Sequence, residues 1–93
     1  MVPAMPTIRF TATLARHRAV RDIKADGTTV RAVLDAVLAD DRVLRAYVLD
    51  DQGRLRKHIN IFVDGAMVAD RMRLSDPVIP ESEIYILQAL SGG

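Results

Sequence analysis

Glu83-Ile84-Tyr85-Ile86-Leu87-Gln88-Ala89-Leu90-Ser91-Gly92-Gly93 closes the chain. Side chains alternate sides along a strand, so Ile84 and Ile86 share one face while Tyr85 and Leu87 share the opposite one. The stretch reads as a strand over 83–90 that runs straight into two glycines. Behind it, residues 66–83 read as irregular, because Pro77 and Pro80 cannot donate to a sheet ladder.

Further back, a second strand is predicted over 56–63. Ile59, Ile61 and Val63 face one way; His58, Asn60 and Phe62 face the other. Asp64-Gly65 ends it with a strong hairpin signal. Asp50-Asp51-Gln52-Gly53 reads as a turn. The mixed stretch 42–49 is read as containing a short strand over 47–49.

The clearest element is a helix. Val30, Val33, Leu34, Val37 and Leu38 recur at i, i+3, i+4, i+7 and i+8, one apolar stripe about three turns long. Thr28 or Thr29 is placed to cap it, and it should stop near Asp40-Asp41. At the start of the chain, Ile8, Phe10, Ala12 and Leu14 alternate with Arg9, Thr11 and Thr13, which reads as a strand. A weaker strand candidate over 19–24 completes a hairpin through a turn at 15–18, and Asp26-Gly27 ends the unit. Residues 1–6 read as a loose lead-in.

One helix cannot cover both faces of a sheet. The predicted class is therefore α+β: a mixed sheet of four to five strands with one main helix packed on one face. A chain of 93 residues supports a single domain over 1–93, with a flexible tail over about 89–93.

Composition narrows the function. The chain is 49% hydrophobic and 27% charged, ordinary values for a globular domain. Thirteen basic and 12 acidic residues leave a net charge of +1, which argues against a nucleic-acid partner. Cysteine is absent, which removes disulfides, thiolate catalysis and cysteine-type zinc sites. No apolar run approaches the roughly 20 residues that span a bilayer, so no membrane association is expected. Residues 1–6 do not resemble a secretion signal, and a cytoplasmic location is expected.

Enzyme machinery is not legible. No phosphate-binding glycine loop with its lysine and no Ser/His/Asp grouping stands out. His17 and His58 lie far apart in sequence with no third ligand beside them, so no metal site is expected. Asp40-Asp41 and Asp50-Asp51 are explained by a helix end and a turn. Arg54, Arg56 and Lys57 form a short basic run, read either as a solvated hairpin end or as a salt-sensitive contact with an acidic partner.

The tail is different. Diglycine alone is a weak motif, and a frayed end is its common meaning. Here it follows a strand directly. An end without Cβ atoms at Gly92 and Gly93 can thread a narrow channel in another enzyme. Its carboxylate could then attack the α-phosphate of ATP to give an acyl-adenylate, from which a sulfur nucleophile could displace AMP.

The opening Ile8-Arg9-Phe10, the helix of the Val30 stripe, the run Gly53-Arg54-Leu55-Arg56-Lys57-His58-Ile59-Asn60-Ile61-Phe62-Val63-Asp64-Gly65 and the closing strand with its diglycine together resemble the MoaD/ThiS family of sulfur carriers. Those are β-grasp domains, distantly similar to ubiquitin. The resemblance implies that the first and last strands pair side by side at the centre of the sheet. It implies that the Gly93 carboxylate is adenylated by a ubiquitin-activating-type enzyme, which itself uses ATP and Mg, so that this chain binds no cofactor and is not an enzyme. It further implies a rhodanese or cysteine-desulfurase sulfur donor and a sulfur-accepting synthase. The acceptor would make molybdopterin, thiamine or cysteine, and the 47–57 insertion looks more like the molybdopterin and cysteine-synthesis carriers.

Two other readings share that tail: a ubiquitin-like modifier joined to lysines through Gly93, and a small subunit of molybdopterin synthase. In each, Phe62, Tyr85 and Leu87 on the sheet face away from the helix, with Leu90 and Ser91 in the tail, are the expected partner contacts. The alternative is that the irregular 66–83 segment folds over that face and buries it.

Overall fold

The structure is a computed structural model that describes residues 5–10 and 22–88. In chain order it contains β1 (Thr7–Phe10), β2 (Ile23–Lys24), α1 (Val30–Leu38), α2 (Arg42–Val48), β3 (Ile59–Val63), β4 (Ala66–Met67) and β5 (Glu83–Gln88). The strands form a five-stranded sheet in the order β2-β1-β5-β3-β4. β1 runs parallel to β5, and the other neighbours are antiparallel. This is the β-grasp arrangement, with the last strand at the centre and the first beside it.

The alternation in the sequence sets which face is covered. Ile8, Ile59, Ile61, Ile84 and Ile86 have no solvent exposure, and neither do Val30, Val33 and Leu34 of α1. The helical stripe packs on the isoleucine face of the sheet. Full burial of each Leu or Ile is worth about 1.5–3 kcal/mol, so this layer supplies most of the drive to fold.

Helix α1 starts as the sequence predicts. Thr29 caps it, its side-chain oxygen accepting from the Ala32 N–H at 3.1 Å. Two further orphan donors of the first turn, the N–H groups of Val30 and Arg31, reach the carbonyls of Asp76 and Leu74 at 3.0 and 2.9 Å. The 68–82 segment is thus tied to the start of α1, with Val68, Leu74, Val78 and Ser82 buried. Asp70 organises its tip. The carboxylate accepts from the N–H groups of Met72 and Arg73 and from the Ser75 hydroxyl.

Three expectations change. Residues 47–49 are not a strand: 42–48 form α2, capped by Asp41, whose side chain accepts from the Leu44 N–H at 3.0 Å. Leu44 and Val48, four apart, bury one face, and only Leu49 extends, in an isolated bridge to Leu55. The 56–63 strand begins at Ile59, because the Ile59 N–H turns back to the Arg56 carbonyl. The 66–83 stretch is not wholly irregular, since Ala66 and Met67 pair with Val63 and Phe62.

Asp64 and Gly65 make the two-residue turn between β3 and β4, both with positive φ (50° and 88°), the conformation that favours Asp-Gly in tight hairpins. The extensions of the first two strands over 11–14 and 19–21, with the turn at 15–18, lie outside the described residues. Among the described residues, no helix is long and apolar enough to cross a membrane.

Candidate functional site

The route to the tail is set by β5. Along its last turns of the ladder, Leu87 lies opposite Asn60 and Gln88 opposite Ile59. Helix α2 grips the same end: the Tyr47 hydroxyl donates to the Gln88 side-chain oxygen at 3.1 Å. The Tyr47 ring meets His58 edge to face, with centroids 5.7 Å apart. The described strand is therefore held up to Gln88 by β3 on one side and by the Tyr47 hydroxyl of α2. Leu90, Ser91, Gly92 and Gly93, the expected tail residues, lie outside the described residues.

The sheet face away from α1 carries the other expected residues. Tyr85 on β5 is the cross-strand partner of Phe62 on β3, of Arg9 on β1, and through Phe62 of Met67 on β4. Arg9, Tyr85, Phe62 and Met67 form one row across four strands. Leu87 and Asn60 form the next step. Tyr85 and Met67 are exposed, at 37% and 53%, and Phe62 and Leu87 are half-buried. The 68–82 segment is tied to the start of α1 and does not bury Tyr85 or Met67.

Arg9 frames the row. Its guanidinium donates to the Tyr85 hydroxyl at 2.7 Å and lies over the Tyr85 ring, 5.6 Å from its centre. It also pairs with Asp22 at 3.0 Å and with Glu83 at 2.6 Å. The guanidinium is held above its usual pKa, first by the Tyr85 hydrogen bond and further by Glu83 and Asp22. These pairs are solvent-exposed and add little to stability. What they do is fix the ring of Tyr85 in one orientation.

Arg9 and Met67 were not singled out from sequence. Arg9 had a signal, since it sits between Ile8 and Phe10 and must point away from the core. Met67 had one too: counting outward from the Asp64-Gly65 turn places it opposite Phe62. Among the described residues, no group of three or more His, Asp or Glu could hold a metal ion.

Comparison with known proteins agrees with the fold. The family model described as the ThiS family matches residues 8–93. Small archaeal modifier protein 1 of Haloferax volcanii is 27% identical, covering 95% of this chain and 98% of that one, with a TM-score of 0.79. A chain of the BexX/CysO complex of Amycolatopsis orientalis is 25% identical over 95% and 99%, with a TM-score of 0.78. CysO of Mycobacterium tuberculosis, 23% identical over 91% and 99% with a TM-score of 0.76, shares the fold. No curated protein sequence matches.

Proposed function

We propose, from the premise that the chain belongs to the ThiS family of ubiquitin-like sulfur carriers, that its working group is the carboxylate of Gly93. A carboxylate oxygen attacks the α-phosphorus of ATP held by a ubiquitin-activating-type enzyme, and pyrophosphate leaves. The outer sulfur of a cysteine persulfide on a rhodanese or cysteine-desulfurase relay then adds to the acyl carbon and AMP leaves, giving an acyl disulfide. A second thiol attacks the relay cysteine's sulfur, releasing the thiocarboxylate and leaving that thiol and the relay cysteine joined as a disulfide. The product is a thiocarboxylate that a synthase can take sulfur from. ATP and Mg belong to the partner enzyme in this scheme, and this chain contributes the acyl group and the surfaces that present it.

The supporting observation is that the family match runs through the diglycine to Gly93, while the described strand β5 directs the chain toward that end from the centre of the sheet. The row of Arg9, Tyr85, Phe62 and Met67, with Leu87 beside it, is the proposed docking face for the activating enzyme; Leu90 and Ser91 extend the contact into the tail. A row of apolar and aromatic side chains with an arginine at one end is what a specific, moderate interface needs.

The likeness to a small archaeal modifier protein favours a second reading, conjugation of Gly93 to lysines. Both use the same adenylate. Intact mass spectrometry of the chain purified from its host separates them. The mass gain of one oxygen exchanged for sulfur marks the carrier, and higher-mass conjugates mark the modifier. Stable co-purification with a large catalytic subunit would instead mark a synthase subunit. An unchanged mass after incubation with the activating enzyme, ATP and a sulfur donor overturns the carrier reading.

A further inference from the structure

Beside the end of β5 lies an open-sided hollow of about 640 Å³. Its wall includes His58, the neighbour of Ile59, and Ile59 pairs with Gln88 at the root of the tail. Four cations line it: Arg54, Arg56, Lys57 and Arg71. The one acid in the wall, Asp50, is paired with Arg54 at 3.3 Å. Asp51, next along the turn, lines a separate hollow with Arg42 and Arg45.

The other three cations are not neutralised among the described residues. The Arg56 Nε donates to the Ala46 carbonyl at 2.6 Å. The Arg71 guanidinium donates to the Asn60 side-chain oxygen and to the carbonyls of Arg56 and Ile59, at 3.1, 2.9 and 2.8 Å. These acceptors carry no charge, so both guanidiniums keep theirs while being held in place. Lys57 is exposed and makes no ion pair among the described residues. In a chain whose net charge is only +1, this is a concentrated and largely pre-ordered positive surface, so little side-chain freedom is lost when it is engaged.

We infer that this hollow receives an acidic surface of the adenylating partner, as a second contact beside the root of the tail and separate from the apolar row. The assignment rests on the carrier reading above. The hollow is open to solvent and its cations stand on long side chains, a form suited to carboxylates spread over a protein surface. Complementary charge of this kind steers encounter and weakens with salt.

ATP–pyrophosphate exchange by the host's ubiquitin-activating-type enzyme, with this chain as the varied substrate across a salt series, tests the inference. For the unsubstituted chain KM should rise with salt. Lys57→Glu should raise KM about tenfold at low salt and flatten the salt dependence, with kcat kept. Lys57→Arg should behave as the parent, and both variants should melt as it does, because the side chain is exposed. A Lys57→Glu variant with the parent's KM and salt slope overturns the assignment while leaving the carrier reading intact. No exchange with the unsubstituted chain overturns both.

Discussion

The Tyr47 hydroxyl, carried on α2, donates to the side-chain oxygen of Gln88, the last described residue of the central strand, across 3.1 Å. A helix outside the main layer thereby holds the last described residue of the central strand. Replacing Tyr47 by Phe removes that bond and keeps the ring against His58. The expected cost is about 1 kcal/mol in global stability. The sharper readout is hydrogen exchange: the amides of Leu87 and Gln88 should exchange faster, with those at Ile84 and Ile86 unchanged. Uniform behaviour along β5 would show that the bond does not anchor the strand end.

The proposed docking face makes a prediction at two positions. Phe62→Asp and Met67→Asp each place a carboxylate in the row around Tyr85. Each should raise KM for adenylation about tenfold or more, the scale of a central interface residue, with circular dichroism unchanged. Met67 is the safer probe, being 53% exposed. Normal kinetics for both variants would remove the row from the interface.

The tail prediction follows from shape. Deleting Gly93, or making Gly92→Val, should abolish adenylation in single-turnover assays while the melting temperature stays at the parent's value. Wild-type sulfur transfer by either variant would refute the role of the terminal carboxylate.

Gly27 is constrained by its neighbours. A Cβ there would sit 2.8 Å from the Val33 Cγ2, 2.9 Å from the Val33 backbone nitrogen and 3.0 Å from the Ala32 Cβ. The backbone of α1 has no room to retreat, so Gly27→Ala should destabilise by about 1–3 kcal/mol through overpacking. Gly65 has nothing within 4 Å of its missing Cβ but a φ of +88°. Gly65→Ala should cost about 1–2 kcal/mol through backbone strain alone. Chemical denaturation compares the two; equal stability of Gly27→Ala and the parent would mean that α1 shifts after all.

Asp70 predicts an acid dependence. The Ser75 hydroxyl, followed by the Arg73 N–H, lowers its pKa from 3.8 to about 2. A carboxyl whose folded value is depressed stabilises the fold above its unfolded value and loses that contribution as pH falls through the folded one. Asp70→Asn should therefore melt below the parent at neutral pH, with the gap closing between pH 3.8 and about 2. A gap that persists at the acid end would assign the effect to packing instead.

Much of this was legible in sequence because period and side coincide in this chain. The Val30-to-Leu38 stripe and the Ile84/Ile86 alternation each had one consistent reading, and both faces fell where the pattern put them. Helix α2 was harder. It has only seven residues, and Val43, Tyr47 and Val48 favour strands; its signals were the Asp41 cap and the four-residue spacing of Leu44 and Val48. The start of β3 depended on a local turn at Arg56 that periodicity does not encode. The positive hollow was half visible, as the run Arg54, Arg56 and Lys57. Its fourth member, Arg71, arrives through the tertiary path of the 68–82 segment, and no spacing in the sequence brings it to Ile59.

Arg9 and Tyr85 touch across 76 residues of chain, because the first strand lies parallel to the last. A nascent chain on the ribosome cannot close this sheet until its final segment has emerged, since the centre of the sheet is made last. Synthesis that stops early leaves β1 and β3 without the strand that joins them. In the proposed function, the group to be activated follows this keystone strand in sequence. Products that stop before Glu83 lack the strand that completes the sheet, so the order of synthesis makes the centre of the sheet the last part that can form.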